Sequence, residues 1–112
     1  MLSFLMMSQC KKHADILKVL LKANRKQRKA ILQVADRDWI DAICECALNL
    51  LAGNVPLSTS QKKKITPYKN HLRLLSEPTT SLKRKRKLLS QRGGNWLNLL
   101  IGPVLKVLNE IF

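Results

Sequence analysis

The chain has 112 residues, with 21 Lys and Arg against 7 Asp and Glu, for a formal net charge of +14. Its length suits one small domain, and its 46% hydrophobic content excludes a wholly disordered basic protein. So large a cation excess exceeds what solubility needs and points to a polyanionic partner, nucleic acid or an anionic membrane.

The N-terminus, Met-Leu-Ser-Phe-Leu-Met-Met-Ser, lacks a basic start and is interrupted by Ser3 and Ser8. It does not read as a signal peptide, and residues 1–9 are expected to be a flexible N-terminus. Ala14, Leu17, Leu20 and Leu21 then recur at helical spacing, with Lys11, Lys18 and Lys22 elsewhere on the turn. After the basic run from Arg25 to Lys29, Ala30, Ile31 and Val34 make a second short apolar stripe. Asp36 is the expected N-cap of the next helix. Asp38 and Asp41 fall in its first turn, where the helix dipole favours negative charge. Ile40, Ile43, Ala47, Leu50 and Leu51 carry its buried stripe to Gly53-Asn54, which ends it by tolerating positive φ.

Val55-Pro56 is a short extended connection. Ser58 and Gln61 have capping-box spacing and open a basic helix through Lys62, Lys63, Lys64 and Ile65. Pro67 either restarts that helix, with Thr66 as cap, or kinks it. Tyr68, Leu72 and Leu75 continue an apolar face to a break at Ser76-Glu77-Pro78. Thr80 or Ser81 caps a last basic helix through Leu82, Lys83–Lys87, Leu88 and Leu89, and Gly93-Gly94 stops it.

The expected fold is all-α. It is a small bundle of about four or five short helices with a basic helical extension and an apolar amphipathic C-terminal helix. The chain divides into the flexible 1–9, a small helical domain over 10–76, a basic segment over 77–94 ending in Gly-Gly, and an apolar tail over 95–112. Charge follows this division: residues 53–94 hold eleven basic residues and one acid, and 95–112 hold only Lys106 and Glu110.

Lys83, Arg84, Lys85, Arg86 and Lys87 are five consecutive cations with only Glu77 nearby. A phosphate backbone relieves their mutual repulsion and releases condensed counterions. Lys62, Lys63, Lys64 and Arg92 are expected to join them as nucleic-acid-binding residues, with Arg25, Lys26, Arg28 and Lys29 auxiliary. No finger, zipper or base-reading helix is present in the pattern, so the expected binding is independent of sequence. Phe4, Trp39, Tyr68, Trp96 and Phe112 are scattered, which argues against single strands held by stacked bases. The Lys83–Lys87 run also fits a nuclear localisation signal.

In the tail, Asn95, Asn98, Gly102, Lys106 and Asn109 form one narrow polar stripe. The other sides include Trp96, Leu99, Leu100, Ile101, Leu105 and Leu108, and Pro103 is expected to kink the helix. Eighteen helical residues span about 27 Å against roughly 30 Å of hydrocarbon, and Lys106 would cost about 2.5–3.5 kcal/mol inside it. A membrane-active helix lying in an interface, or a last core helix, suits this pattern better than a spanning one.

Cys10, Cys44 and Cys46 make no disulfide framework, and His13 and His71 lack metal-site spacing; Cys44 and Cys46 read as small apolar residues in a reducing compartment. No catalytic constellation, metal or cofactor is expected. Gly93, Gly94 and Asn95, after Gln91-Arg92, read either as a helix stop and hinge or as a cleavage site. The second would suit a protease whose narrow tunnel admits only residues without side chains.

Lys83–Lys87, then Arg92-Gly93-Gly94, then Leu99-Leu100-Ile101-Gly102-Pro103 resembles the core protein X (mu) precursor family of adenoviruses. The whole chain, with helices ahead of that module, looks more like the X-type proteins of the adenovirus-like polintons and adintoviruses. The close match covers about thirty residues, from roughly 82 to 108. The resemblance implies a minor virion protein that condenses double-stranded DNA, matured by a viral cysteine protease cutting between Gly94 and Asn95. Gln91 stands where such proteases usually take Met, Leu or Ile. The expected partners are double-stranded DNA, that protease, other capsid or core proteins and an anionic membrane, and the expected locations are the nucleus and virion core. The alternatives are a membrane-active or membrane-anchored protein acting through the tail, and a nuclear host helical DNA-binding regulator.

Overall fold

Side-chain caps set where four of these helices begin. Trp39 N–H donates to Asp36 Oδ1 at 3.0 Å, and Arg84 N–H donates to Ser81 Oγ at 3.2 Å. Ser58 and Gln61 complete the reciprocal box, at 2.8 and 3.1 Å. Asn24 and Gln27 form a second such box, at 2.9 and 2.8 Å. Each cap satisfies amide donors that have no intrahelical partner.

The computed structural model describes residues 7–91 and 96–111, the side chains of 110 and 111 excepted. Its helices are α1 (Ser8–Lys12), α2 (Ala14–Lys22), α3 (Arg25–Val34), α4 (Arg37–Leu51), α5 (Thr59–Ile65), a 3-10 turn (Thr66–Tyr68), α6 (Lys69–Ser76), α7 (Leu82–Ser90) and α8 (Leu97–Ile111). The described residues contain no strand, so the class is all-α. The segments outnumber the four or five expected. The chain breaks at His13 between α1 and α2, and Pro67 sits in a 3-10 turn that restarts the helix as α6.

α4 ends as expected at Gly53, whose φ is +76°. Gly53 N–H reaches Leu50 O at 3.3 Å and Asn54 N–H reaches Asn49 O at 3.0 Å, the paired bonds of a Schellman cap. The buried Asn49 side chain accepts from Asn54 Nδ2 at 3.0 Å and donates to Glu45 O at 2.8 Å.

Of the two readings left open for the C-terminal helix, membrane-active or last core helix, α8 takes the second. It packs against α2, α4 and α5, and Trp96, Leu97, Leu100, Ile101, Val104, Leu105, Val107 and Leu108 are all buried. The segment expected as an appended tail therefore supplies a large part of the core. Its polar stripe is kept: Asn98, Lys106 and Asn109 are exposed, and Gly102 faces Leu21 on α2 with room left for a methyl group. α8 continues through the buried Pro103, whose ring removes one backbone hydrogen bond.

Two smaller boundaries also move. Met7 is buried, and Ser8 and Gln9 belong to α1, so the folded body takes in residues 7–9 of the expected flexible end. On α3 the buried line is Arg28 and Leu32, continued by Ala35 just past its end; Ala30 is exposed and Val34 is 78% exposed. The line runs through Arg28 because its Nη2 donates to Ala23 O at the end of α2, at 2.8 Å. A hydropathy count cannot place a guanidinium there. The radius of gyration, 12.7 Å, is close to the roughly 13 Å expected of a close-packed chain this long.

α1 is held to α4 by Glu45, whose Oε1 accepts from Gln9 N at 2.9 Å and Cys10 N at 3.2 Å. Burial raises the Glu45 carboxyl above its ordinary range, and the two backbone bonds pull it partly back. The folded state therefore holds this proton more tightly than the unfolded chain. It gains stability as pH falls through the interval between the two values and loses that gain as pH rises. Glu45→Gln keeps an acceptor without the buried charge. Melts between about pH 4 and 7 should show its midpoint equal to or above wild type at neutral pH, with less dependence on pH. Glu45→Ala loses the tie and should cost about 1–2 kcal/mol at neutral pH.

Candidate nucleic-acid interface

α7 carries five consecutive cations, but the fold divides them. Lys83, Arg84 and Lys87 are exposed, whereas Lys85 and Arg86 are half-buried. Leu88 and Leu89 turn one side of the helix into the core, which draws Lys85 and Arg86 inward with it. The Arg86 guanidinium donates through Nη2 to the carbonyl of Ala35, just beyond α3. Lys85 lines a cleft with Arg37 and Asp41. Arg86 therefore serves as a tie between α7 and the end of α3.

That tie is part of a wider contact, because α3 packs against α7. The two helices that carry these basic runs thus pack on each other, although more than fifty residues separate the runs in the chain. On α3, Arg25, Lys26 and Lys29 are exposed. Arg28, expected as an auxiliary phosphate ligand, is only 5% exposed and serves the α2–α3 junction instead. The two helices together present Arg25, Lys26, Lys29, Lys83, Arg84 and Lys87 to solvent.

Lys62, Lys63 and Lys64 are exposed on α5 and fall in its last turn, where the helix dipole favours cations. Lys62 lines a groove of about 350 Å³ with Leu57, Lys69 and Arg73. α5 packs mainly on α8 and the 3-10 turn, whereas α7 packs on α3, α4 and α6. The Lys62–Lys64 cluster thus rests on different neighbours from the α3–α7 surface.

Among the acids, Asp36 is engaged as a cap, Glu45 binds the backbone of α1, and the exposed Asp41 shares a cleft with Arg37 and Lys85. Burial raises the nearby Cys44 thiol to about 11; Lys85 lowers it and Asp41 raises it.

Arg92, Gly93, Gly94 and Asn95 lie outside the described residues. The residues on either side of them are anchored to one place. Gln91 Oε1 lies 2.9 Å from His71 Nε2. The Trp96 ring stacks on Tyr68 at 5.4 Å and 11°, and meets His71 edge-on at 5.6 Å.

The residues singled out for membrane activity face the core: Trp96, Leu100, Ile101, Leu105 and Leu108 are buried and Leu99 is half-buried. For these side chains to meet lipid, α8 would have to leave the bundle. Among the described residues, no helix is long and apolar enough to cross a membrane.

The chain matches no protein-family model, no curated protein and no solved structure.

Proposed function

We propose that this protein binds double-stranded DNA without regard to base sequence and condenses it, as a minor virion core protein of an adenovirus-like mobile virus. The observation that carries the reading is the side-by-side placement of two basic helices. The packed pair leaves six cations exposed, Arg25, Lys26 and Lys29 on α3 and Lys83, Arg84 and Lys87 on α7, and Arg86 with Leu88 and Leu89 holds α7 in place. Lysine and arginine heads in such an array engage phosphates and carry no base information. Condensation also needs a second contact on the same particle, for which the Lys62–Lys64 cluster on α5 is suited. The resemblance of Lys83–Lys87 and Arg92-Gly93-Gly94 to the core protein X module supports the same reading.

The proposal extends to the nucleus and virion core as location, other capsid or core proteins as neighbours, and cleavage after Gly94 by a viral cysteine protease. Such a cut would separate α8 from the rest of the chain covalently while its buried face still held it in the bundle.

The test is a salt titration of binding to random-sequence duplex. Six phosphate contacts give a slope of log K against log salt of about −5, and a loss of about a thousandfold between 50 and 200 mM salt. Binding that ignores salt, or that prefers one duplex sequence over a random competitor, would overturn the proposal.

A further inference from the structure

Cys10 and Cys46 are both wholly buried, and their sulfurs lie 3.2 Å apart although thirty-six positions separate them in the chain. The pair is held from two sides. Glu45 binds the backbone of Gln9 and Cys10, which fixes the start of α1 on α4. Cys10 Sγ also lies 3.4 Å from Ala42 O, one turn before Cys46. A disulfide requires sulfurs at about 2.05 Å, so the two need approach by only about 1.2 Å. Cys44 is set apart from them: two positions from Cys46 on a helix, it turns to another side, where Lys85 and Asp41 are the charges that act on it.

We infer that Cys10 and Cys46 form an intramolecular disulfide when the protein meets a disulfide oxidant such as oxidised glutathione, locking α1 onto α4. The closed thiols are shielded. The hydrogen bond with Cys10, and then burial, push the Cys46 thiol well up. Reaction therefore follows release of α1, a helix of only five residues. Once exposed, Cys10 loses its proton to water, and its thiolate attacks one sulfur of oxidised glutathione and expels a glutathione thiolate. α1 then returns toward α4. Cys46, deprotonated in its turn, attacks Cys10 Sγ and expels the second glutathione. The two thiols lose two protons and two electrons, and one oxidised glutathione becomes two reduced ones. The bond closes a loop covering α2 and α3 and most of α4, so its stabilisation comes largely from the unfolded chain. It leaves the exposed cations of α3, α5 and α7 untouched, so this inference stands apart from the DNA reading.

The experiment treats the full-length protein with oxidised glutathione, unfolds it under acid quench, and alkylates the free thiols for intact mass and peptide mapping. The expected product is a monomer lighter by two hydrogens, with Cys44 alone of the three cysteines alkylated and a Cys10–Cys46 linked peptide. Its thermal midpoint rises by roughly 10 °C or more and returns on reduction. Cys44→Ser should cross-link as wild type does, and Cys10→Ala should not cross-link internally. Three alkylated thiols after exhaustive oxidation, a linked peptide containing Cys44, or dimers in place of the internal bond would each overturn the inference. These readouts on wild type and Cys44→Ser decide the matter even if Cys10→Ala folds poorly.

Discussion

Replacing Lys83, Arg84 and Lys87 together by glutamine should reduce the salt slope of duplex binding by about 2.7, at about 0.9 for each phosphate no longer neutralised. At 0.1 M salt the same change should weaken binding about 10²–10³-fold. All three side chains are exposed on α7, so the melting midpoint should scarcely move. Arg86→Gln provides the contrast. Its guanidinium holds the carbonyl of Ala35 and is half-buried. Losing it should cost about 1 kcal/mol of stability while leaving the slope near that of wild type. Fluorescence titrations at four or more salt concentrations, with a parallel melt of each variant, separate the two outcomes. An unchanged slope in the triple variant would remove α7 from the interface.

Leu100→Glu should abolish the cooperative melt or lower its midpoint by roughly 20 °C. Leu100 is wholly buried on α8, which packs against α2, α4 and α5. The substitution removes a buried aliphatic group and leaves a carboxylate without a partner in the core, a cost of about 5 kcal/mol or more. A domain of this size has only about 5–15 kcal/mol in total. Asn98→Glu lies nearby on the same helix but on the exposed stripe, and should change stability by no more than about 0.5 kcal/mol. Circular dichroism melts of both variants test the placement. A Leu100→Glu protein that melted like wild type would mean that α8 is a detachable tail after all.

The elements legible in the sequence are those governed by neighbours a few positions away. Asp36, Ser58 with Gln61, and Gly53 act where their spacing said they would. So does the exposed stripe of Asn98, Lys106 and Asn109 on α8. A cap or a helical face depends on backbone geometry within one or two turns, and the residue types announce it. The exposed lysines of α5 were equally legible, because no nearby residue offers them a reason to be buried.

What stayed hidden depends on which distant segments meet. Arg28 is the local exception: its partner, the Ala23 carbonyl freed at the end of α2, is only five positions away, but hydropathy does not mark a guanidinium as a core residue. Nothing local separates Arg86 from its four neighbours until α3 arrives with Ala35. The meeting of Cys10 with Cys46 requires α1 to fold back across thirty-six residues. The role of α8 shows the limit most clearly. An apolar amphipathic helix has the same pattern whether it faces lipid or protein, since both are drier than water. The sequence alone determined the helical class, the caps at Asp36 and Ser58 and the surplus of positive charge, because these follow from short-range geometry and composition. Only the tertiary structure decided that the apolar C-terminal helix is core and that the two helices carrying remote basic runs pack together, because burial is settled by the packing partners.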